Sequence, residues 1–368
     1  MGVDSMNRWM RLFQELQKKG CTQAILTPGA SFAYLTGWAT HASERLTMVG
    51  CNAFGQTALL CPLLEAEGAK AAGIAQCHVY TDETGPAAAL KEFARTLGVT
   101  EASIVAVEEG RMRLFEAKAL QAVGCRHFAP CDQAVSSLRL LKEKYEIEAI
   151  RRAARIVDEA LALALPMLRV GVSELDIAAE LEYQMKRLGS EGAPFATIVG
   201  SGANGALPHS APTGKKIVAG DLVVLDFGAM SDGYAADTTR TVAVGEATAE
   251  ARQVYAIVQR AQAAAVARAA PCVPVADIDA AARSIIAEAG YGAYFTHRTG
   301  HGLGLDVHEY PNIMAGNDLP LASGMVFTVE PGIYLPGRFG VRIEDDVLVT
   351  ERGVETLTQF SRDLLAID

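Results

Sequence analysis

Residues 222–244 read LVVLDFGAMSDGYAADTTRTVAV. The run 222–228 is apolar up to an acid, Ser231-Asp232-Gly233 is a turn signal, and 234–244 is a second run rich in Ala, Thr and Val. This pattern predicts a hairpin. Asp226 and Asp237 stand an odd number of residues apart, and an even loop would set them directly opposite each other. Directly opposed Cβ atoms lie roughly 4.5–5.5 Å apart on one face. Two carboxylates at that range repel unless one takes a proton or a cation lies between them. Asp226 ends an apolar run, so it is expected to be half-buried and to need a partner.

The same device recurs later in the chain. FTVEPGIYLPGRFGVRIEDD, residues 327–346, reads as strand, turn, strand. Glu330 and Glu344 are an even number apart, which suits an odd loop such as Pro336-Gly337-Arg338. Between the two hairpins lies HRTGHGLGLDVHE, residues 297–309, where glycines around His301 let the backbone approach a ligand. Four carboxylates and one imidazole suit Mn²⁺, Co²⁺ or Zn²⁺ better than a thiophilic metal. Four negative charges match two divalent ions better than one. A single acid pair on a strand is usually a solvated face. Two such hairpins with a glycine-flanked histidine between them point to a metal centre.

The pattern DFG…DGYAADTTRT…HRTGHGLGLDVHE…FTVEPGIY…VRIED resembles the metal-dependent creatinase/aminopeptidase family with the pita-bread fold. Within that family the chain is similar to the proline-specific branch, the Xaa-Pro dipeptidases (prolidases) and aminopeptidase P. The resemblance covers essentially the whole chain. It implies an α+β protein: a pita-bread catalytic domain over 141–368, preceded by a smaller α/β domain over 1–140. It implies that Asp237 and Glu344 bridge two divalent ions, Mn or Co with Zn as an alternative. Asp226 would complete one side, and His301 and Glu330 the other. A bridging hydroxide would attack the Xaa-Pro bond, with Glu330 as general base and acid. His209 and His308 match positions that line the substrate pocket and stabilise the tetrahedral intermediate. Relatives are commonly dimers, so a homodimer is expected.

Composition agrees with this reading. The chain has 368 residues and 50% hydrophobic residues, too much for one ordinary core, so two domains are expected. A net charge of −10 argues against a nucleic-acid surface and favours a cytoplasmic protein. No apolar run is long enough for a transmembrane helix, and residues 1–20 lack a signal-peptide core. Seven scattered cysteines without a CxxC read as reduced and structural.

Alternating strands and helices predict the first domain, with a boundary at about 139–144. A helix over 146–165 follows, then one opened by Ser173 with Asp176 three residues on and stopped at Gly189. Two more helices, about 249–269 and 276–289, repeat the plan. LDIAA at 175–179 recurs loosely as ADIDA at 276–280. Two helices followed by an acidic hairpin, twice, suggest an internally duplicated domain: a curved antiparallel sheet covered by helices.

An Xaa-Pro amide lacks the N–H that ordinary peptidases recognise. By strand alternation Arg342 shares a face with Glu344, and could touch substrate or balance the carboxylates. His297 reads as a support or a structural residue, and Arg240 and Tyr234 as structural supports. One position departs from the family pattern. Many prolidase relatives carry an arginine for the dipeptide carboxylate where this chain has Asn312. Arg45, from its own or a partner subunit, is a candidate replacement, since a buried carboxylate needs a cation. Its chain length favours a dipeptidase. Aminopeptidase P acting on longer Xaa-Pro peptides is the alternative, and a non-catalytic pita-bread binding module a more distant one.

Overall fold

The computed structural model describes residues 5–71 and 73–367. The chain divides into two compact units, Met1–Arg139 and Leu140–Asp368.

The first unit is a mixed six-stranded sheet with helices. Its elements are α1 (Ser5–Gln17), β1 (Gln23–Leu26), α2 (Ala30–Thr36), β2 (Met48–Asn52), β3 (Thr57–Pro62), α3 (Ala66–Ala71), β4 (Gln76–Tyr80), α4 (Ala87–Leu97), β5 (Ile104–Val107), α5 (Leu114–Ala122), β6 (His127–Pro130) and α6 (Asp132–Arg139). The strand order is β4-β3-β2-β1-β5-β6. Leu90, Phe93 and Leu97 on one face of α4 pack against Ile25, Met48, Leu60 and Val105 of the sheet, a stripe that the helical period sets on one side.

The second unit opens with α7 (Lys144–Ala164) and α8 (Glu174–Arg187). Ser173 caps α8 as its sequence predicts: its Oγ accepts from the Asp176 N–H, and the Asp176 carboxylate accepts from the Ser173 N–H. β7 (Ile198–Ser201), β8 (Leu222–Ser231) and β9 (Tyr234–Val244) follow, then α9 (Ala249–Arg268), α10 (Val275–Glu288), β10 (Gly300–Gly302), β11 (Glu309–Ile313), β12 (Val326–Val329), β13 (Gly332–Leu335), β14 (Phe339–Arg342), β15 (Asp345–Val349), β16 (Val354–Thr356) and β17 (Ala366–Ile367). The ladders are antiparallel except for β17 on β9.

The repeated plan is physical. Each half runs helix, helix, short strand, long hairpin, with β11 as an extra short strand in the second. An isolated bridge pairs Ser173 with Lys216 at the start of α8, and another pairs Pro274 with Pro320 at the start of α10. Each half has its own core. Ala153, Val157 and Leu161 of α7 pack with Val223, Leu225 and Phe227 of β8, while Val254, Val258 and Ala261 of α9 pack with Phe327, Val341 and Val347. Among the described residues no helix is long and apolar enough to cross a membrane.

Candidate active site

The first hairpin corrects the expected pairing. Asp226 lies opposite Thr239, and Asp237 opposite Gly228. The two acids share a face but sit two residues off direct opposition. The reason is the turn. Asp232 and Gly233 both take positive φ (48° and 78°), so the strands join through a two-residue loop, and Ser231 and Tyr234 belong to the ladder. A turn centred one residue earlier would have matched the two acids directly.

The second hairpin keeps the expected register. Leu335 pairs with Phe339 around the three-residue loop Pro336-Gly337-Arg338, and Gly332 with Arg342. Beyond a short break, Val329 pairs with Asp345 in the same register. Glu330 and Glu344 therefore face each other at an interruption in one long hairpin. Their backbones leave the ladder where their side chains converge.

Threonines join the two hairpins. Glu344 N–H donates to Thr239 O (3.0 Å), Arg342 N–H donates to Thr241 Oγ1 (3.1 Å), and Thr239 Oγ1 donates to Glu344 Oε2 (2.6 Å). Buried Arg240 bonds the carbonyls of Thr239 and Glu344 and pairs with Asp345 (2.8 Å), so it is a support. Tyr234 is another, donating to Glu146 (2.6 Å). His301 enters between glycines for a steric reason. A Cβ on Gly300 would lie 1.9 Å from Thr328 O, and one on Gly302 2.3 Å from Tyr310 O.

All five expected ligands, Asp226, Asp237, His301, Glu330 and Glu344, line one cavity of about 640 Å³. Ligand atoms of Asp237, His301 and Glu344 lie within 4.8 Å of one another. The His301 Nδ1 faces Gly302 O at 3.0 Å, so it carries the proton and leaves Nε2 a bare acceptor. That Nε2 looks onto Glu330 Oε1 at 3.4 Å and Asp237 Oδ2 at 3.8 Å. Burial holds the imidazole near pKa 3, so it does not protonate to resolve this. Asp237 Oδ1 and Glu344 Oε1 are buried without a hydrogen-bond partner. Acceptors aimed only at acceptors fit a bound cation.

The acids register the same frustration. Burial first, then Glu344 and Asp226, hold the Asp237 carboxyl well above its usual range. Burial, then Glu330 and Asp226, do the same to Glu344. Burial pushes Glu330 up to about 7, with the Arg342 charge acting the other way. Such acids bind more protons folded than unfolded, so they lower stability as pH rises toward their folded pKa. Buried His301 (about 3) and His297 (about 4) oppose this below 6.5, where they stay neutral while unfolded histidines charge. The metal-free chain should therefore lose stability as pH rises from 6.5 through about 7, where Glu330 gives up its proton. Denaturant midpoints in chelator should fall across that window, and added Mn²⁺ should remove the fall.

Arg342 lies at the cavity wall and is fully engaged there. It forms an ion pair with Asp226, and donates to Thr239 Oγ1 (3.0 Å), Pro208 O (3.3 Å) and Tyr334 OH (2.7 Å). Tyr334 was missed in the sequence. The His297 Nδ1 donates to Arg298 O (2.7 Å), so its Nε2 accepts from Tyr334 OH (2.9 Å). Tyr334 thus links Arg342 to His297. Tyr334→Phe should cost about 1–3 kcal/mol of stability, because it strands a buried donor and a buried acceptor. Urea unfolding measures it.

His209 and His308 are solvent-exposed residues lining the cavity. The His308 ring meets that of His301 edge-on at 4.3 Å, and burial lowers its pKa. Its neighbour Glu309 is anchored by buried Lys142 (3.2 Å). The loop bearing His209 is clasped by Glu174, whose carboxylate accepts from Ser201 N (2.8 Å), Asn204 Nδ2 (3.0 Å) and Thr213 N (3.0 Å). Phe195, Ile198, Pro208 and Pro212 give the cavity an apolar wall. Arg298, also missed, lines it as well and donates to Asn312 Oδ1. Arg45 belongs to the first unit, where it forks onto Asp82 (2.9 and 2.8 Å) and touches Glu44 (2.6 Å).

Both units of the chain are similar to known proteins. Residues 148–351 match the model of metallopeptidase family M24, and residues 8–141 that of the creatinase/prolidase N-terminal domain. A crystal structure of recombinant prolidase from Thermococcus sibiricus superposes with a TM-score of 0.93 at 38% identity, covering 100% of both chains. The Xaa-Pro dipeptidase from Bacillus anthracis gives 0.90 at 34% identity, covering 99% of this chain and 100% of that one. The X-Pro aminopeptidase from Thermotoga maritima gives 0.85 at 36% identity, covering 98% and 99%. The mixed α/β first unit and the duplicated sheet-and-helix second unit are those of the pita-bread architecture expected from sequence.

Proposed function

The chain belongs to metallopeptidase family M24, and from that premise we propose that it hydrolyses the Xaa-Pro bond of dipeptides. The observation that carries this reading is the buried set of acceptors without donors on the wall of a peptide-sized cavity. Asp226, Asp237, His301, Glu330 and Glu344 would hold two divalent ions, Mn²⁺ or Co²⁺ with Zn²⁺ as an alternative. Bound there, the ions would polarise the scissile carbonyl and acidify the attacking water.

The chain's own residues do the rest. Glu330 takes the proton of the attacking water and returns it to the leaving proline nitrogen. His308, its pKa lowered by partial desolvation and the Arg298 charge, donates an N–H to the oxygen that becomes negative, and His209 supplies the second donor from the loop clasped by Glu174. Arg342 offsets the charge of Asp226, while its bond to Tyr334 keeps it from swinging into the substrate space. The apolar wall of Phe195, Ile198, Pro208 and Pro212 suits the proline ring.

Specificity for a dipeptide needs a cation for its free carboxylate. Asn312 carries no charge, but Arg298 donates to it from the same cavity. Arg298 is near enough to Glu330 and His308 to move their pKa values. We assign the carboxylate to Arg298. Arg45, already compensated by Asp82 and Glu44, is the second candidate. The similarity to an X-Pro aminopeptidase supports a second reading, removal of the first residue from longer Xaa-Pro peptides. Turnover of an Xaa-Pro dipeptide against the matching tripeptide separates them: preference for the dipeptide supports the first, preference for the tripeptide the second.

A further inference from the structure

β3 and β4 run parallel at one edge of the first unit's sheet, with Leu59 beside Cys77 and Cys61 beside Val79. By strand alternation Cys61 and Cys77 point to the same face, one diagonal step apart. Their Sγ atoms are 4.0 Å apart. Cys61 is buried, and Cys77 is exposed on the outermost strand. The peptidase chemistry uses neither.

We propose that Cys61 and Cys77 are a reversible oxidation site, closed to a disulfide by a peroxide. The Cys77 thiolate attacks the peroxide O–O bond, gains a hydroxyl to become a sulfenic acid, and expels hydroxide. The Cys61 sulfur then attacks the Cys77 sulfur. The S–S bond forms, the S–O bond breaks, and water leaves with the Cys61 proton. Two thiols lose two electrons and two protons, and the peroxide becomes two waters. The roles follow from access: only Cys77 can meet an oxidant in solution, and only Cys61 stands behind it to resolve the product. A hydrogen bond from Cys61 lowers the Cys77 thiol, which favours its thiolate. Closure needs the sulfurs to approach by about 2 Å. β4 has a neighbouring strand on one side only, and so can yield.

The test uses the full chain and hydrogen peroxide at stoichiometric dose, followed by thiol counting in denaturant and peptide mapping. The expected result is loss of two of the seven thiols, a Cys61–Cys77 linked peptide, and full recovery with dithiothreitol. Cys77→Ser should slow thiol loss at least about tenfold. Cys61→Ala should leave Cys77 as a sulfenic acid that dimedone traps. Retention of all seven thiols, or a linked peptide joining other cysteines, would overturn the proposal. So would stable sulfenic acid on Cys77 in the unaltered chain, or oxidation of exposed Cys272 ahead of Cys77.

Discussion

Asp237→Ala should lower the proposed Xaa-Pro turnover at least about a thousandfold, roughly 4 kcal/mol of transition-state stabilisation. Asp237 is the expected bridge from the first hairpin. Its Oδ1 is buried without a partner, and its Oδ2 faces the bare nitrogen of His301. Without it, the proposed site would lose a ligand and should hold its ions more weakly. The same substitution has an opposite effect on the metal-free fold. Burial and the neighbouring carboxylates disfavour the ionised side chain, so its loss relieves repulsion and should leave the metal-free chain as stable or more stable. The Asp237 N–H still donates to Asp346 (3.0 Å), so the strand keeps its anchor. The paired result is lost activity and lost metal-dependent stabilisation in a folded protein. A variant with full activity and unchanged metal content would contradict the two-ion site.

Arg298→Ala should raise KM for an Xaa-Pro dipeptide about 30- to 150-fold, the value of a charge-assisted bond of about 2–3 kcal/mol, with a smaller effect on kcat through the charge it places near Glu330. A tripeptide carries its carboxylate elsewhere, so its KM should move much less. The contrast separates recognition from a general loss of structure, which would affect both substrates. Arg298 is half-buried and its hydrogen-bond acceptor Asn312 is neutral, so removal leaves no buried charge unpaired there. Equal losses on both substrates would return the carboxylate role to Arg45 or another cation.

The site was legible in outline because its ligands sit where the sequence changes character. Asp226 closes an apolar run, His301 lies between glycines, and Glu330 ends an apolar run just before Pro331-Gly332. These local signals survive without a structure. The pairing of Asp226 with Thr239 was not legible, because register depends on which two residues of Ser231-Asp232-Gly233 form the turn. All three are good turn residues, and only the positive φ at Asp232 and Gly233 decides between them. The second hairpin left no such choice, because Pro336 and Gly337 define its loop.

Thr239, Tyr334, Glu174 and Arg298 were invisible for a different reason. Each acts through a partner distant in sequence: Thr239 on Glu344, Tyr334 on His297, Glu174 on the loop of His209, and Arg298 beside Asn312. A lone threonine or tyrosine in a strand reads as ordinary β-former. The duplicated plan was legible from the order of elements, although its only sequence match was one short run. The elements α3, β6 and α6 of the first unit are too short for a sequence pattern to mark them.

The most direct test is to strip the chain of metal and titrate it with Mn²⁺, measuring bound ions and turnover of an Xaa-Pro dipeptide in the same samples. The five-ligand site predicts no turnover in the stripped chain, binding that reaches two ions, and activity that appears as they bind. Full dipeptide hydrolysis by the stripped chain, or saturation of both ions with no hydrolysis, would contradict it.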